Sequence, residues 1–468
     1  MKRDVFVILV INMLIILSGC KKLLEVNKID DRLLMSQVYE NPLTANAAID
    51  GIYANARNAF PLSTTVYNSL SGDDVINYSV SQVLDDYRTN LLQPTTTLPW
   101  SNIYNTIYAA NAALEGLYAS KNLPATLKSL YSGEAKFNRA FCYFYLLNLF
   151  GDVPLVLSTD VTLNARASRV PSDQVWAQVV ADLVEAQDVL SSDYSAGNGE
   201  RIRANKYVAT AFLARVYLYQ KQWGKADAEA SKIISSELYS VLNSPAGIFI
   251  KNNTEAILQW PNGPGLGNNF SSNFIFTTTP VVICSNYLLN AFEVNDLRRS
   301  VWIGARQYSG QTYYYPFKFT TTATNSNEWY TVMRLAEQYL IRAEARAMQN
   351  DLAGAISDVN YIRLKHGGLQ QPLIVPATQA ACLDIIMRER QVELFTEGMH
   401  RWFDLKRTGR INGIMQAIKP MTWRPTASLY PLPLTEIQRN PNLVQNPGYD
   451  DAATMQAKVL THPKYKYQ

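Results

Sequence analysis

The sequence predicts a mainly α-helical protein: paired helices stack as a solenoid scaffold, and long irregular loops with a few short strands occupy the opposite face. Two observations carry this. Apolar residues recur at i, i+3, i+4 and i+7 through several segments, and two long tracts of different composition lie between them. With 468 residues, 47% of them hydrophobic, the chain is long enough to bury a large core.

The helical pattern is clearest in Val332, Leu335, Ala336, Tyr339, Leu340, Ala343 and Ala347. It resumes after Asn350-Asp351 at Leu352, Ala355, Ile356 and Val359. A short turn between two such helices makes an antiparallel pair. The same arrangement occurs earlier as Leu213, Ala214 and Tyr217, then Trp223, Ala226, Ala230 and Ile233. In each case two alanines stand twelve apart (Ala343/Ala355 and Ala214/Ala226), with a large apolar residue three positions before the second. Small residues there let paired helices approach closely. The pattern resembles the tetratricopeptide repeat, whose pairs stack into a solenoid. Further helical tracts are expected near 43–58, 100–119, 130–149, 173–190 and 381–407. Trp100, Tyr104 and Tyr108 recur at helical spacing and read as core, as do Trp402 and Phe403.

Residues 61–99 and 243–330 are rich in Asn, Ser, Thr, Gly and Pro, with aromatics scattered through them and strand-like runs such as 256–260. Loops this long are usually functional or disordered, and frequent aromatics argue against disorder. Loops held on a rigid frame are where binding residues concentrate. Tyr78, Tyr87, Phe270, Phe274, Tyr308, Tyr313 and Trp329 fall in these tracts without periodicity, with Arg88 and Asn269 as polar companions. A flat ring can cover the apolar face of a sugar while neighbouring polar groups bond its hydroxyls. Asp73-Asp74, after Ser71-Gly72, reads either as a ligand contact or as a helix or turn cap.

The N-terminus predicts export. Lys2 and Arg3 precede a run from Val5 to Leu17 that is apolar except at Asn12. This is shorter than the roughly 20 residues of a membrane span and fits a cleaved signal peptide over residues 1–19. Leu17-Ser18-Gly19-Cys20 looks like a bacterial lipobox, in which Cys20 would carry the lipid after cleavage. Multiple acyl chains would then hold the protein on a bilayer. The mature chain, 20–468, is expected to be a single domain.

Several functions find no support. The formal charge is +4 with no Lys/Arg-rich run, which gives nucleic-acid binding little basis. Cys142, Cys284 and Cys382 are widely spaced, unlike a disulfide framework or a zinc site. Glu389, Glu393 and Glu397 stand four apart on one helical face, with Arg388, Arg390, Arg401 and Arg407 around them. That pattern reads as an ion-pair lattice locking helices, not as a pair of catalytic carboxylates flanking a sugar. No nucleophile elbow or zinc-protease motif is present among His366, His400 and His462, so neither catalysis nor a metal or cofactor is expected.

Four stretches resemble one family. They are Cys20–Val26; Gly133-Glu134-Ala135-Lys136-Phe137-Asn138-Arg139-Ala140 continuing to Leu149-Phe150-Gly151-Asp152-Val153-Pro154; Ile386–Leu394 with Glu397-Gly398, Arg401 and Asp404-Leu405; and Pro431–Pro433 with Asn440-Pro441 and Asn446-Pro447-Gly448-Tyr449. Together they are similar to the SusD/RagB family of outer-membrane nutrient-binding lipoproteins. The resemblance implies a surface lipoprotein with a tetratricopeptide-like side and a looped face. Its expected partner is a SusC-like TonB-dependent transporter, over which it closes while a ligand is held between them. The expected ligand is an oligosaccharide. A peptide ligand and, further off, a lipid-anchored glycoside hydrolase are the alternatives.

Overall fold

The computed structural model describes residues 35–263, 271–324 and 326–449. The signal segment and Cys20, together with the candidate ligand residues Asn269 and Phe270, lie outside the described residues. Eleven of the helices matter here: α1 (Pro42–Ala59), α2 (Gln82–Thr89), α3 (Trp100–Ala119), α4 (Ala125–Phe150), α5 (Ser172–Val189), α6 (Lys206–Tyr219), α7 (Trp223–Ile234), α8 (Leu335–Met348), α9 (Leu352–Lys365), α10 (Gln379–Leu394) and α11 (His400–Arg407). From α3 to α9 each helix packs on the next, which is the stacked-pair solenoid expected from the sequence.

Local chemistry sets the helix boundaries. Asn41 caps α1 by accepting from the Leu43 N–H at 2.8 Å, and Pro42 occupies the first helical position, where a missing N–H costs nothing. Asn350 adopts a left-handed φ of 69° in the turn after α8, and Asp351 then accepts from Gly354 N–H at 2.9 Å to start α9. The alanines at the helix contacts, Ala214, Ala226, Ala343 and Ala355, have no exposed surface. Tyr339 of α8 stacks on Tyr361 of α9 with ring centroids 4.7 Å apart.

Among the described residues, six short strands form three antiparallel pairs. They are β1 (Val75–Asn77), β2 (Ala256–Trp260), β3 (Val282–Cys284), β4 (Ile303–Tyr308), β5 (Gln311–Pro316) and β6 (Tyr330–Arg334). β1 pairs with β3, β2 with β6, and β4 with β5.

Four expectations are corrected. Val332 belongs to β6 and not to the helix that follows, because residues 330–334 are buried on both faces and pair with β2. The tract 61–99 is not one loop: Tyr87 and Arg88 lie on α2, which Ser81 caps and left-handed Asn90 ends. Tyr108 is 45% exposed rather than core, although Trp100 is buried as expected. The helical tract 381–407 breaks after Leu394, where Thr396, Gly398 and Met399 take φ of 55°, 53° and 63°. Carbonyls freed at that break are not left bare. Arg334 donates to Glu393 O at 2.7 Å, and Lys318 donates to Glu393 O and Phe395 O at 2.9 Å each.

Because Ala226 and Ala343 sit where paired helices touch, Ala226→Trp and Ala343→Trp should each lower stability by about 1–3 kcal/mol through overpacking. Chemical-denaturation midpoints check this. Unchanged midpoints in both variants would refute the close-packed repeat.

Candidate functional site

The β4–β5 hairpin turns through Ser309-Gly310, both at positive φ (47° and 79°), the geometry that two-residue hairpins favour. Its register sets Arg306 opposite Tyr313 and Tyr308 opposite Gln311, so these four share one face. Tyr78 reaches the same face from the end of β1, where its N–H bonds Val281 O at 2.8 Å. The Tyr78 and Tyr313 hydroxyls are 2.8 Å apart, with ring centroids separated by 4.9 Å and nearly edge-on. Tyr308 lies 6.2 Å from Tyr313, again edge-to-face. The hydrogen bond to Tyr78 raises the Tyr313 pKa above its ordinary value. Tyr78 is 44% exposed. Three of the sequence-selected tyrosines, drawn from segments 235 residues apart, therefore form one open aromatic cluster.

Further along this face are residues the sequence reading missed. Tyr315 covers Gly304, where an added Cβ would come within 2.5 Å of the ring. Phe276 packs on Tyr315 at 5.3 Å and carries the Arg306 guanidinium at 5.9 Å. Strand alternation at 311, 313 and 315 was the one sequence signal for Tyr315, and Phe276, outside that strand, had none.

The other candidates have structural roles. Asp73 is 5% exposed and holds Arg401 through two hydrogen bonds of 2.7 and 2.6 Å. Tyr87 is fully buried, stacked on Tyr67 with centroids 4.6 Å apart, and its hydroxyl donates to Thr97 O. Arg88 pairs with Asp85 on its own helix. Phe274 is buried, and Trp329, also buried, has the Lys251 ammonium over its ring at 5.4 Å. Burial leaves Tyr87, Phe274 and Trp329 almost no open ring face, which corrects the expectation of ligand stacking for these three.

The residues that flank the hairpin in sequence belong to a buried charge lattice. Arg298, two residues past Asp296 and just ahead of β4, donates to Asp296, Glu389 and Glu393 at 2.8, 2.5 and 2.8 Å. Lys318, just past β5, donates to Glu397 at 2.5 Å. Arg334 joins Glu255 at 3.1 Å, Glu393 at 2.5 Å and Glu397 at 2.8 Å. The three glutamates do form an ion-pair lattice, but their partners come from distant segments and not from the interleaved arginines. Arg390 and Arg407 pair instead with Asp404, and Arg407 also with Glu344. Burial pushes the Lys318 pKa down to about 8, against the pull of Glu397.

His366 lies inside the lattice with Nδ1 2.8 Å from Glu393 and Nε2 3.0 Å from Glu255. Burial alone would lower its pKa, but the two carboxylates outweigh that and lift it to about 9. Burial likewise opposes ionisation of Glu393, yet His366, Arg334 and Arg298 hold it well below the usual carboxylate range. The ligand atoms of Glu255, His366 and Glu393 lie within 4.8 Å of one another, a spacing a metal ion could use. A metal needs a neutral imidazole with a free lone pair. Here both ring nitrogens face carboxylates that already accept from arginines, so the donor set is committed to ion pairs.

Two family profiles match the chain. One, described as the SusD family, covers residues 302–449, and the other, described as starch-binding and associating with the outer membrane, covers residues 24–218. A SusD-like protein of Formosa agariphila is 25% identical, covering 92% of this chain and 97% of its own length. A second from the same organism is 27% identical over 75% of this chain and 80% of its own. Among solved structures, a laminarin-binding SusD-like protein superposes with a TM-score of 0.73 at 23% identity, over 88% of this chain and all of that one. A SusD homologue from Bacteroides thetaiotaomicron gives 0.77 at 18% identity, over 90% of this chain and all of that one. The structural matches carry the fold.

His366 provides a test of the lattice. Its folded pKa of about 9 exceeds the ordinary 6.5, so the stabilisation is fully present below pH 6.5 and is lost as pH rises through 9. Burial depresses Lys318 to about 8 and Lys406 and Lys419 to about 7, so these contribute in the opposite sense at alkaline pH. The readout is therefore the stability difference between wild type and His366→Gln. It should shrink by about 2–3 kcal/mol between about pH 6 and pH 10. A difference independent of pH would contradict a protonated His366.

Proposed function

The chain belongs to the SusD/RagB family, and on that premise we propose that it is a cell-surface lipoprotein that captures an oligosaccharide and passes it to a SusC-like TonB-dependent transporter. The observation that carries the binding half is the Tyr78–Tyr308–Tyr313 cluster. The exposed Tyr78 ring and the half-buried Tyr308 and Tyr313 rings can pack on the C–H faces of sugars, while their hydroxyls and Arg306 bond the sugar oxygens. The name of the laminarin-binding structural relative supports a glycan over a peptide.

Anchoring would come from lipidated Cys20. None of the helices among the described residues is long and apolar enough to cross a membrane. The family description that mentions the outer membrane supports the same location. Chemistry is not part of the proposal. Glu389, Glu393 and Glu397, the carboxylates most suggestive of catalysis in the sequence, each hold a buried cation. A general acid must instead be free to exchange its proton with substrate.

Calorimetry against a panel of oligosaccharides and peptides tests this reading. For the sugar that binds, Tyr78→Ala and Tyr308→Ala should each weaken affinity by about 1–3 kcal/mol, roughly five- to 150-fold, with unchanged thermal stability. Trp100→Ala should instead cost about 3–5 kcal/mol of stability, because its ring is core. No reducing ends should appear on incubation. Binding that is indifferent to both tyrosines, or hydrolysis abolished by one carboxylate substitution, would overturn the proposal.

A further inference from the structure

Asp73 and Asp74 are adjacent in the chain and both buried, 5% and 1% exposed, at the root of the β1 segment that leads to Tyr78. Their surroundings differ. Asp73 takes the Arg401 guanidinium through hydrogen bonds of 2.7 and 2.6 Å. Asp74 accepts from the neutral Gln391 amide at 3.3 Å, and it forms no ion pair among the described residues. The main chain is engaged as well. Ser285, just past β3, donates its N–H to Asp74 O at 2.9 Å and its hydroxyl to Asp73 O. At the far end of β1, Tyr78 N–H bonds Val281 O at 2.8 Å. β1 is three residues long, so its position depends on few contacts at either end.

The charged groups around Asp74 do not offset a second negative charge there. Arg401 of α11 is taken by Asp73. Lys318, past β5, donates to Glu397 and to two backbone carbonyls. Lys419 lies toward Asp73, and its ammonium donates to Leu70 O, Ser71 O and Asn90. Cys284 of β3 is a buried free thiol, and Gln391 of α10 is uncharged. An ionised carboxylate in such a place is disfavoured by burial and by its neighbour's charge, whereas a carboxylic acid is not. Burial and Asp73 accordingly raise the Asp74 pKa to about 7, against the pull of Arg401 and Lys318.

We propose that Asp74 is a proton-operated latch on the segment that carries Tyr78: its carboxyl is protonated while β1 lies closed against β3 and α10, and opening of that root releases the proton. The closed-state pKa exceeds the ordinary 3.8, so resistance to opening is greatest at acid pH and is lost as pH rises through about 7. Over that interval opening becomes easier by about tenfold per pH unit, and above it the dependence ends. The consequence for capture, a tyrosine cluster looser at neutral than at acid pH, rests on the proposed function. The latch itself does not, and it is tested without ligand.

Amide hydrogen exchange of the full chain, read in peptides covering 74–78 and 282–285 from about pH 5 to pH 9, makes the test. Base catalysis alone speeds exchange by about tenfold per pH unit when reclosing outruns exchange. Wild type should instead gain about a hundredfold per unit below neutrality and about tenfold above pH 8. Asp74→Asn, which cannot ionise, should gain about tenfold throughout, so the ratio of the two rates cancels every other titrating group. Gln391→Glu, which sets another carboxyl beside Asp74, should move the wild-type break to higher pH. If Asp74→Asn does not fold, the wild-type break decides, because it should appear in these peptides and not in those of α3. A ratio independent of pH, or wild-type profiles parallel to those of α3, would overturn the latch and leave the reading of the tyrosine cluster standing.

Discussion

Glu393 has no solvent exposure, yet it carries a charge, and four cationic groups converge on it or on its backbone carbonyl: Arg298, Arg334, His366 and Lys318. A lone buried carboxylate would neutralise itself or unfold its surroundings. Such a lattice is tolerated only because its members satisfy one another, and removing one partner of a buried pair typically costs about 3–5 kcal/mol. The interest lies in where the partners come from. Arg298 lies just before β4 and Lys318 just after β5, so both ends of the tyrosine-bearing hairpin are fastened to the end of α10. Asp73, near the root of β1, is fastened to Arg401 of α11, and Asp74 accepts from Gln391 of α10 at 3.3 Å. The segments that present Tyr78, Tyr308 and Tyr313 are thereby referenced to one short stretch of helix.

This gives the family-like motif at 386–407 a physical meaning. Its residues do not touch the tyrosines. They form the foundation that fixes three distant loops in register, which a stacking site needs if its rings are to be preorganised. The same division of labour recurs around Glu134 in the second motif. That glutamate is buried and its work is to hold Arg203 and Tyr53 in position. The helical solenoid supplies the rigid frame, and buried ion pairs transmit that rigidity to irregular chain. Asp74 marks the cost of this arrangement. Burial and the neighbouring Asp73 charge raise its pKa to about 7, despite Arg401 nearby.

Much of the scaffold was legible because helical periodicity is local. The Ala214/Ala226 and Ala343/Ala355 spacings report close helix contacts within about thirty residues of chain, and the boundaries of α3 match the expected tract at both ends. The glutamates at 389, 393 and 397 were legible as ion-pair partners from their spacing, but their actual cations were not. Arg298, Lys318 and Arg334 lie 59 to 95 residues away from Glu393 or Glu397. The tyrosine cluster shows the same limit. Residue type and loop context singled out Tyr78, Tyr308 and Tyr313, but equally Tyr87 and Trp329, because burial is decided by packing between segments and leaves no local trace. The helix break after Leu394 was hidden for a related reason. Backbone carbonyls can leave the helical ladder there only because Lys318 and Arg334 receive them.

Buried cations clamp the roots of the tyrosine hairpin to the end of α10. Hydrogen exchange across residues 303–316 in Lys318→Met tests it most directly, since Arg334 still satisfies Glu397 in that variant. The clamp predicts that hairpin amides exchange markedly faster than in wild type while those of α8 and α9 keep their protection. Hairpin protection equal to wild type in a folded Lys318→Met protein would contradict it.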